Sequence, residues 1–345
     1  MRLMTHRKTT CFVAGRSGGH IIPALTLAQK EKQKNPATNV LFFSASSTLD
    51  KHIAGSSQMV NWHIPLKLGN VPIRKPWRLP IFFWRFFRSF FSALFWLKKK
   101  KVQKVVSTGG YISLPVCLAA WTLRIPIELF ELNAEPGKAT KFLAPFSKKI
   151  STCFEQTKQC FPSHKCCFVK YPIRYKQLNN TDLSAAKARE QINLDPNKKT
   201  ILILGGSQGS IFINNLIKKW ITNRKNKIKN IQIIHQTGAI DTTDWKKIYE
   251  NLGVRNISAP FFDNLEPFYH ATDLVICRSG AGSLFETLFF DKKCITIPLE
   301  TKKNNHQVHN ALAAKYKYPI LITVLRQHEI MKFPDVFFDE IQKKT

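Results

Sequence analysis

Short apolar runs alternate with helical patterns along most of this 345-residue chain. Unbroken runs of four to six mostly apolar residues are typical of strands that are buried on both faces of a parallel sheet. The first half contains four after its opening run, and the second half four more: Val40–Phe43, Val102–Ser107, Ile125–Phe130, Lys149–Phe154, Thr200–Leu204, Ile231–His235, Asp273–Cys277 and Ile295–Pro298. Helical patterns follow most of them, notably Ser283–Phe290 and His306–Tyr316. This alternation predicts an α/β fold with a doubly wound parallel sheet in each half.

A polar stretch at Asn179–Asn197 separates the two halves, and the chain is longer than a single core usually supports. We therefore expect two Rossmann-like domains, at residues 1–172 and 173–332. Residues 333–345 read as a C-terminal amphipathic helix, for which packing back on the first domain is one option.

Two glycine-rich turns follow apolar runs at equivalent places in the two halves. The first is Gly15-Arg-Ser-Gly-Gly-His20, and the second is Gly205-Gly-Ser-Gln-Gly-Ser210. A tight turn that leads into a helix N-terminus presents free N–H groups and the positive end of the helix dipole, which bind phosphate. Two such turns predict two domains facing one cleft that holds a nucleotide-carried substrate and its acceptor.

The composition adds a strong positive charge, since 53 basic and 22 acidic residues give a formal net charge of +31. A nucleic-acid binder can carry such a charge, but no DNA- or RNA-binding motif is visible and the basic residues are spread along the chain. Compositional drift toward Lys, Asn, Ile and Phe explains part of the excess. Attraction to an anionic membrane surface and to pyrophosphate substrates is the other contribution that we favour.

One segment departs from the βα pattern. Leu79–Leu97 contains seven Phe and two Trp, is interrupted by Arg85 and Arg88, and is followed by Lys98–Lys101. It is too short and too charged for a transmembrane span. Aromatic residues beside basic ones are typical of a helix that lies at a membrane surface, and we expect Leu79–Lys101 to contact anionic lipid. The alternative is a helix that packs only on its own sheet.

Metal chemistry has little support in the sequence. Cys160, His164, Cys166 and Cys167 cluster, but their spacing matches no standard zinc pattern. No Asp-x-Asp pair that could hold a bridging metal is present. We expect no metal and no cofactor.

Eight motifs in order make the chain resemble the MurG family. They are Gly15–Pro23, Ser107–Ala120, Glu131–Gly137, Pro172–Arg174, Gly205–Gly209, His235–Gly238, Cys277–Glu286 and His306–Ala311. The resemblance implies a GT-B glycosyltransferase that transfers N-acetylglucosamine (GlcNAc) from UDP-GlcNAc to the MurNAc 4-hydroxyl of lipid I, undecaprenyl-pyrophosphoryl-MurNAc-pentapeptide. The product is lipid II of peptidoglycan. It also implies peripheral attachment to the cytoplasmic face of the bacterial inner membrane.

The same resemblance assigns roles to individual residues. His20 would be the base that deprotonates the acceptor hydroxyl, with Glu131 as a second catalytic residue. Glu286 would bind the ribose diol, the backbone of Phe262 the uracil, and Gln307 the sugar hydroxyls. The full set expected to bind UDP-GlcNAc is Ser17, Gly18, Gly19, Asn133, Arg174, Ser207, Phe262, Ala281, Gly282, Ser283, Leu284, Phe285, Glu286 and Gln307.

The chain departs from the family at two places. The family motif His-Glu-Gln-Asn reads Phe130-Glu-Leu-Asn133, and the Ala-Leu-Thr of many relatives reads Ala281-Gly-Ser283. These changes leave two alternatives open. One is a UDP-sugar transferase with another lipid or small-molecule acceptor, and the other is a catalytically idle homologue that binds at the membrane.

Overall fold

Two compact units make up the chain, the first ending at Arg174 and the second beginning at Tyr175. The computed structural model describes residues 8–15, 18–69, 71–72, 75–176, 184–206, 209–224, 228–301 and 305–345. The division lies two residues beyond the end that the sequence indicated for the first domain.

A seven-stranded parallel sheet forms the centre of the first unit, in the order β3-β2-β1-β4-β5-β6-β7. Its strands are β1 (Thr9–Val13), β2 (Asn39–Ala45), β3 (Trp62–Leu66), β4 (Val102–Ser107), β5 (Ile127–Glu131), β6 (Lys149–Thr152) and β7 (Cys166–Phe168). The helices are α1 (Gly18–Lys34), α2 (Thr48–Gly55), α3 (Leu79–Lys99), α4 (Ser113–Thr122) and α5 (Lys138–Leu143). Strand β1 is fully buried because it pairs with β2 on one side and β4 on the other.

The second unit repeats the plan with six parallel strands in the order β10-β9-β8-β11-β12-β13. The strands are β8 (Lys199–Leu204), β9 (Ile231–Gln236), β10 (Asn256–Ala259), β11 (Leu274–Cys277), β12 (Lys293–Thr296) and β13 (Ile322–Val324). The helices are α6 (Ala185–Gln191), α7 (Ile211–Asn223), α8 (Trp245–Asn251), α9 (Glu266–Ala271), α10 (Ala281–Phe289), α11 (His306–Lys317), α12 (Gln327–Lys332) and α13 (Pro334–Lys344). The prediction of two doubly wound parallel sheets is confirmed.

The strand orders locate the ligand-binding edge of each sheet. In a doubly wound sheet, ligands bind beyond the carboxyl ends of the two strands at which the winding reverses. These strands are β1 and β4 in the first unit, and β8 and β11 in the second. The loops that follow them begin at Ala14, Thr108, Gly205 and Arg278, and each lies in a predicted motif or directly before one.

The C-terminal helix α13 belongs to the second unit. Phe337, Phe338 and Ile341 are buried in the same apolar cluster as Ile295 of β12. Because this apolar face is already covered, the helix completes the core of the unit from which it comes.

Helix α3 has two apolar faces. Ala93 and Leu97 are buried in the core of the first unit, and Phe82, Phe86 and Phe90 pack against that core. A second set is more than half exposed, comprising Ile81, Phe83, Trp84, Phe87, Phe91 and Phe95. The helix therefore covers its sheet and also presents aromatic rings to the surroundings. Within the described residues, no helix combines the length and the apolar character that crossing a membrane requires.

Candidate functional site

His20 lies in the first turn of α1, beside the loop that follows β4. Its Nδ1 is 2.6 Å from the carbonyl oxygen of Thr108, and the Thr108 hydroxyl donates to the His20 carbonyl oxygen at 2.9 Å. A carbonyl oxygen can only accept, so Nδ1 carries the proton and Nε2 presents a lone pair. The half-buried imidazole is thus held in the tautomer that a general base requires.

Glycines allow the two loops of the first unit to approach each other. Gly110 has φ +88°, and a Cβ there would lie 3.2 Å from both Cα and the carbonyl oxygen of Gly15. Gly109 has φ +101°, and a Cβ there would lie 3.4 Å from the His20 ring. Larger residues would push the β4 loop away from His20.

Glu131 holds the conformation of its own loop, and its role as a second catalytic residue stays a prediction. The side chain is only 2% exposed. Its Oε1 accepts hydrogen bonds from the backbone N–H and the side-chain amide of Asn133 at 3.1 and 3.2 Å, and its Oε2 accepts one from the Gly137 N–H at 3.0 Å. The carboxylate therefore orients Asn133.

The two apolar replacements next to Glu131 are Leu132, which is buried, and Phe130, which is half-buried. Leu132 is 1% exposed, and Phe130 packs against the apolar cluster that contains Phe12 and Phe42. Asn133, which retains the family residue, is half-buried. The departures at positions 130 and 132 therefore change packing beneath the loop.

In the second unit, the turn after β8 requires glycine. A Cβ at Gly205 would lie 2.5 Å from the Ser210 nitrogen, and one at Gly209 would lie 2.6 Å from the Gly238 Cα. Ser210 caps α7 by accepting a hydrogen bond from the Ile213 N–H at 3.3 Å. The turn is thus tightly folded onto the helix N-terminus, as a phosphate site requires.

Gln236, at the end of β9, joins this turn to the segment that contains Phe262. Its Nε2 donates to the Gly206 carbonyl oxygen at 3.2 Å, and its Oε1 accepts from the Phe262 N–H at 3.1 Å. Among the backbone groups of Phe262, the carbonyl oxygen is the one left for a base to contact. Gln236 lies within the predicted motif His235–Gly238, although no role was predicted for it.

Arg278, which the sequence analysis also missed, connects three segments around the same turn. It is 8% exposed, and its Nε donates to the Ser210 hydroxyl at 3.1 Å. Its Nη1 donates to the carbonyl oxygens of Ile297 and Pro298 and to the side chain of Gln327. Burial lowers the pKa of Arg278 to about 10, so the guanidinium stays charged near neutral pH close to the phosphate turn.

A buried histidine helps to hold together the segments next to the glycine-rich turn after β8. His235 is fully buried, with Nδ1 2.9 Å from the Tyr249 hydroxyl and Nε2 3.1 Å from the Asn214 side-chain oxygen. Asn214 in turn donates to the Thr237 carbonyl oxygen and to Asp241. Burial lowers the pKa of His235 to about 3, so the ring is neutral and serves the structure.

Helix α10 carries the candidate ribose residue. Gly280 precedes the helix and has no side chain to cap it, so the first N–H groups of the helix are open to an anion. Glu286 is half-buried, and the Tyr269 hydroxyl donates to its Oε2 at 3.4 Å. Ala281 is 7% exposed and Gly282, Ser283 and Phe285 are intermediate in exposure.

The side chain of Leu284 lies in the core, and a binding role of this residue stays a prediction. Its side chain is fully buried in the core of the second unit, and its N–H donates to the Gly280 carbonyl oxygen at 3.1 Å. Leu284 therefore anchors the helix that carries Glu286 and offers no side chain to the substrate.

The remaining predicted residues fall into three groups. Gln307 uses its side-chain oxygen to accept the Leu299 N–H at 2.9 Å, so its amide nitrogen is the group left for a sugar hydroxyl. Arg174 is half-buried at the end of the first unit, and Gly18 is buried while Gly19 is exposed. Ser17 and Ser207 lie outside the described residues.

No cluster of three or more His, Cys, Asp or Glu side chains in the described part of the chain is arranged to hold a metal ion. All eight cysteines are free thiols. Cys277 and Cys294 lie on neighbouring strands inside the second unit, with 3.6 Å between their sulfur atoms.

Comparisons with known proteins agree with this arrangement. The glycosyltransferase family 28 N-terminal domain matches residues 10–152, and the C-terminal domain of that family matches residues 200–324. A crystal structure of Acinetobacter baumannii MurG has the same fold, with a TM-score of 0.68, 23% identity, and coverage of 97% of this chain and 90% of that one. A kitacinnamycin glycotransferase has a TM-score of 0.66 at 10% identity, over 94% of this chain and 87% of its own.

Two curated relatives carry the name UDP-N-acetylglucosamine--N-acetylmuramyl-(pentapeptide) pyrophosphoryl-undecaprenol N-acetylglucosamine transferase. The protein of Pelagibacter ubique is 34% identical over 302 residues, which cover 86% of this chain and 79% of the relative. That of Carboxydothermus hydrogenoformans is 29% identical over 302 residues, which cover 88% and 80%. The fold is therefore that of the GT-B glycosyltransferases, and the chain belongs to the MurG family.

Proposed function

We propose that this chain is an inverting glycosyltransferase that moves GlcNAc from UDP-GlcNAc to the MurNAc 4-hydroxyl of lipid I and so forms lipid II. The relatives bear the name of this reaction. The observation that carries the proposal is the fixed tautomer of His20, whose Nδ1 is bound by the Thr108 carbonyl oxygen.

In the proposed reaction, Nε2 of His20 removes the proton of the acceptor hydroxyl as its oxygen attacks the anomeric carbon of GlcNAc. Attack from the face opposite the leaving UDP inverts the configuration. Positive charge grows on the sugar ring, and negative charge grows on the departing diphosphate.

The second unit would bind the donor. The N-terminal N–H groups of α7 and α10 and the charged Arg278 stabilise the diphosphate, and helix dipoles and basic side chains do this without a metal. Glu286 accepts from the ribose hydroxyls. The Phe262 carbonyl oxygen contacts the uracil, and the Gln307 amide donates to a sugar hydroxyl.

The first unit would bind the acceptor, and Gly18, Gly19 and Asn133 are its described residues that we assign to UDP-GlcNAc. The alternative of a different acceptor rested on Phe130 and Leu132, of which Leu132 is buried and Phe130 is half-buried against the core. The alternative of a catalytically idle homologue is disfavoured because His20 keeps the orientation that a base needs.

A direct test is to incubate the purified protein with UDP-GlcNAc and a short-chain lipid I analogue. Mass spectrometry should detect the acceptor with one added N-acetylhexosamine, and UDP should be released in equal amount. Release of UDP with other lipid acceptors and none with the lipid I analogue would favour the different-acceptor alternative. Binding of UDP-GlcNAc without turnover of any acceptor would favour the idle homologue.

We also propose that the exposed face of α3 holds the protein on anionic membrane, at the cytoplasmic face of the inner membrane. Six apolar side chains on this face are more than half exposed, and Arg85, Arg88 and Lys98–Lys101 lie on or directly after the same helix. The Arg88 guanidinium lies 5.5 Å from the centre of the Trp84 ring, which keeps charge and aromatic surface together. Rings at headgroup level and cations at the lipid phosphates would both contribute, the cations about 1 kcal/mol each.

Two triple variants separate membrane contact from core packing. Phe83→Ser, Phe87→Ser and Phe91→Ser change the exposed face, and they should lower binding to anionic vesicles without changing UDP affinity. Phe82→Ser, Phe86→Ser and Phe90→Ser change the inward face as the matched control, and they should destabilise the first unit. Unfolding of the first triple variant, or its full retention of vesicle binding, would contradict the proposal.

A further inference from the structure

A lysine-lined cavity lies at the edge of the first sheet opposite the His20 loop. It has a volume of about 600 Å³. The charged residues that line it include five lysines and one carboxylate. They are Lys8, Lys104, Lys148, Lys149, Lys165 and Glu128. Neither the glycine turns nor the residues assigned to the donor and the acceptor contribute to it.

The sheet topology explains why these lysines converge. Lys8 directly precedes β1, Lys104 lies near the start of β4, Lys148 and Lys149 lie at the start of β6, and Lys165 directly precedes β7. The amino ends of parallel strands meet at one edge, so residues distant in sequence become neighbours. The carboxyl ends, and with them His20, lie about 15 Å away, the length of a five-residue strand.

The charges in this cavity do not cancel. Glu31 pairs with Lys8 at 3.6 Å and with Lys104 at 3.4 Å, and Glu128 lies 3.7 Å from Lys104. Lys165 donates to the Pro145 carbonyl oxygen. Among the described residues, Lys148 and Lys149 have no carboxylate partner. Five lysines against two carboxylates leave an excess of three positive charges.

We propose that this cavity binds a phosphate-bearing anion, at a site separate from the UDP-GlcNAc site. A concave basic surface concentrates the electrostatic field and attracts anions. Phosphate oxygens are negatively charged at pH 7 and therefore offset the excess positive charge. The volume is that of a small-molecule site. The occupant is a soluble diphosphate compound or the phosphate of an anionic phospholipid headgroup, since both present anionic phosphate oxygens.

The test measures binding of inorganic pyrophosphate by calorimetry at constant ionic strength, with UDP at saturation so that the donor site is filled. The variant Lys148→Gln/Lys149→Gln removes the two unpaired charges. The matched control is Lys218→Gln/Lys219→Gln, which removes an adjacent and exposed lysine pair from α7 of the second unit. Both variants lower the net charge by two.

The wild type should show saturable pyrophosphate binding. The Lys148/Lys149 variant should bind about tenfold more weakly, because two exposed charge contacts to the anion are lost. The Lys218/Lys219 control should stay within about twofold of the wild type. Absence of saturable binding in the wild type, or equal weakening in both variants, would overturn the proposal. The readout is independent of glycosyl transfer.

A second arm identifies the source of the phosphate, using vesicles of phosphatidylcholine with and without phosphatidylglycerol. If saturating pyrophosphate releases part of the wild-type protein from the anionic vesicles but releases none of the Lys148/Lys149 variant, the natural occupant is a lipid headgroup. If vesicle binding is insensitive to pyrophosphate while calorimetry still shows the site, the occupant is a soluble phosphate compound. Both results support the site.

Discussion

Gln236 offers a sharp test of how the donor site is organised, because it connects two segments through a single side chain. The substitution Gln236→Met keeps a similar length and volume and removes both hydrogen bonds. The Gly206 carbonyl oxygen retains the Gly209 N–H at 3.1 Å as a partner, whereas the Phe262 N–H loses the partner that it has. Each of the two lost hydrogen bonds costs about 1 kcal/mol.

In the variant, UDP binding must order the two segments without these bonds. If this ordering costs about 2 kcal/mol more than in the wild type, the affinity for UDP should fall about 30-fold. Calorimetric titration of UDP into the variant measures this directly. The backbone groups that contact the ligand are unchanged in the variant, so the loss reports positioning.

A matched control lies on the same strand. Gln232 is fully buried and likewise joins two segments, accepting from the Asp195 N–H at 2.9 Å and donating to the Asp195 carbonyl oxygen at 2.8 Å and to the Thr200 hydroxyl at 3.0 Å. Gln232→Met should lower the thermal midpoint at least as much as Gln236→Met and leave UDP affinity near the wild-type value. Equal UDP affinities in the two variants would refute the positioning role of Gln236.

Four further results follow from the account. His20→Ala should lower kcat by about 10²–10⁴-fold with donor affinity unchanged, and near-normal turnover would remove His20 as the base. Glu286→Ala should weaken UDP-GlcNAc binding by about 2–3 kcal/mol in a calorimetric titration; unchanged affinity would take the residue out of the site. The pKa of His235 is about 3 in the folded chain and about 6.5 when unfolded, so the unfolded chain binds more protons between these pH values. The free energy of unfolding should therefore fall by about 1.4 kcal/mol for each pH unit below 6.5 in urea titrations, and His235→Gln should lose that slope. EDTA should leave transfer intact, whereas a loss that Mg²⁺ restores would show that a metal is needed.

The sequence pattern predicted the inner strands of both sheets but missed strands at the edges. Strands β3, β7, β10 and β13 are edge strands, and β7 and β13 have only three residues each. Their positions are mostly half-buried or exposed, so they lack the unbroken apolar run that marks a doubly covered strand. The positions of the glycine turns were predictable because a turn between a strand and a helix leaves a local signature.

The role of each polar side chain was less predictable, because it depends on contacts between distant segments. Glu131 carries the same carboxylate whether it takes a proton or holds a loop, and only the fold shows its bonds to Asn133 and Gly137. Gln236 acts through Gly206 and Phe262, which lie 30 and 26 residues away in the sequence. Leu284 falls inside a binding motif although its side chain belongs to the core.

The central claim is that His20 drives an inverting transfer of GlcNAc. The most direct measurement is the anomeric configuration of the linkage formed on the lipid I analogue, determined by NMR for the wild type and for His20→Ala at equal donor occupancy. The account predicts a β-linked product from the α-linked donor, formed at a rate that falls by about 10²–10⁴-fold in the variant. An α-linked product, or a β-linked product formed equally fast by both proteins, would contradict it.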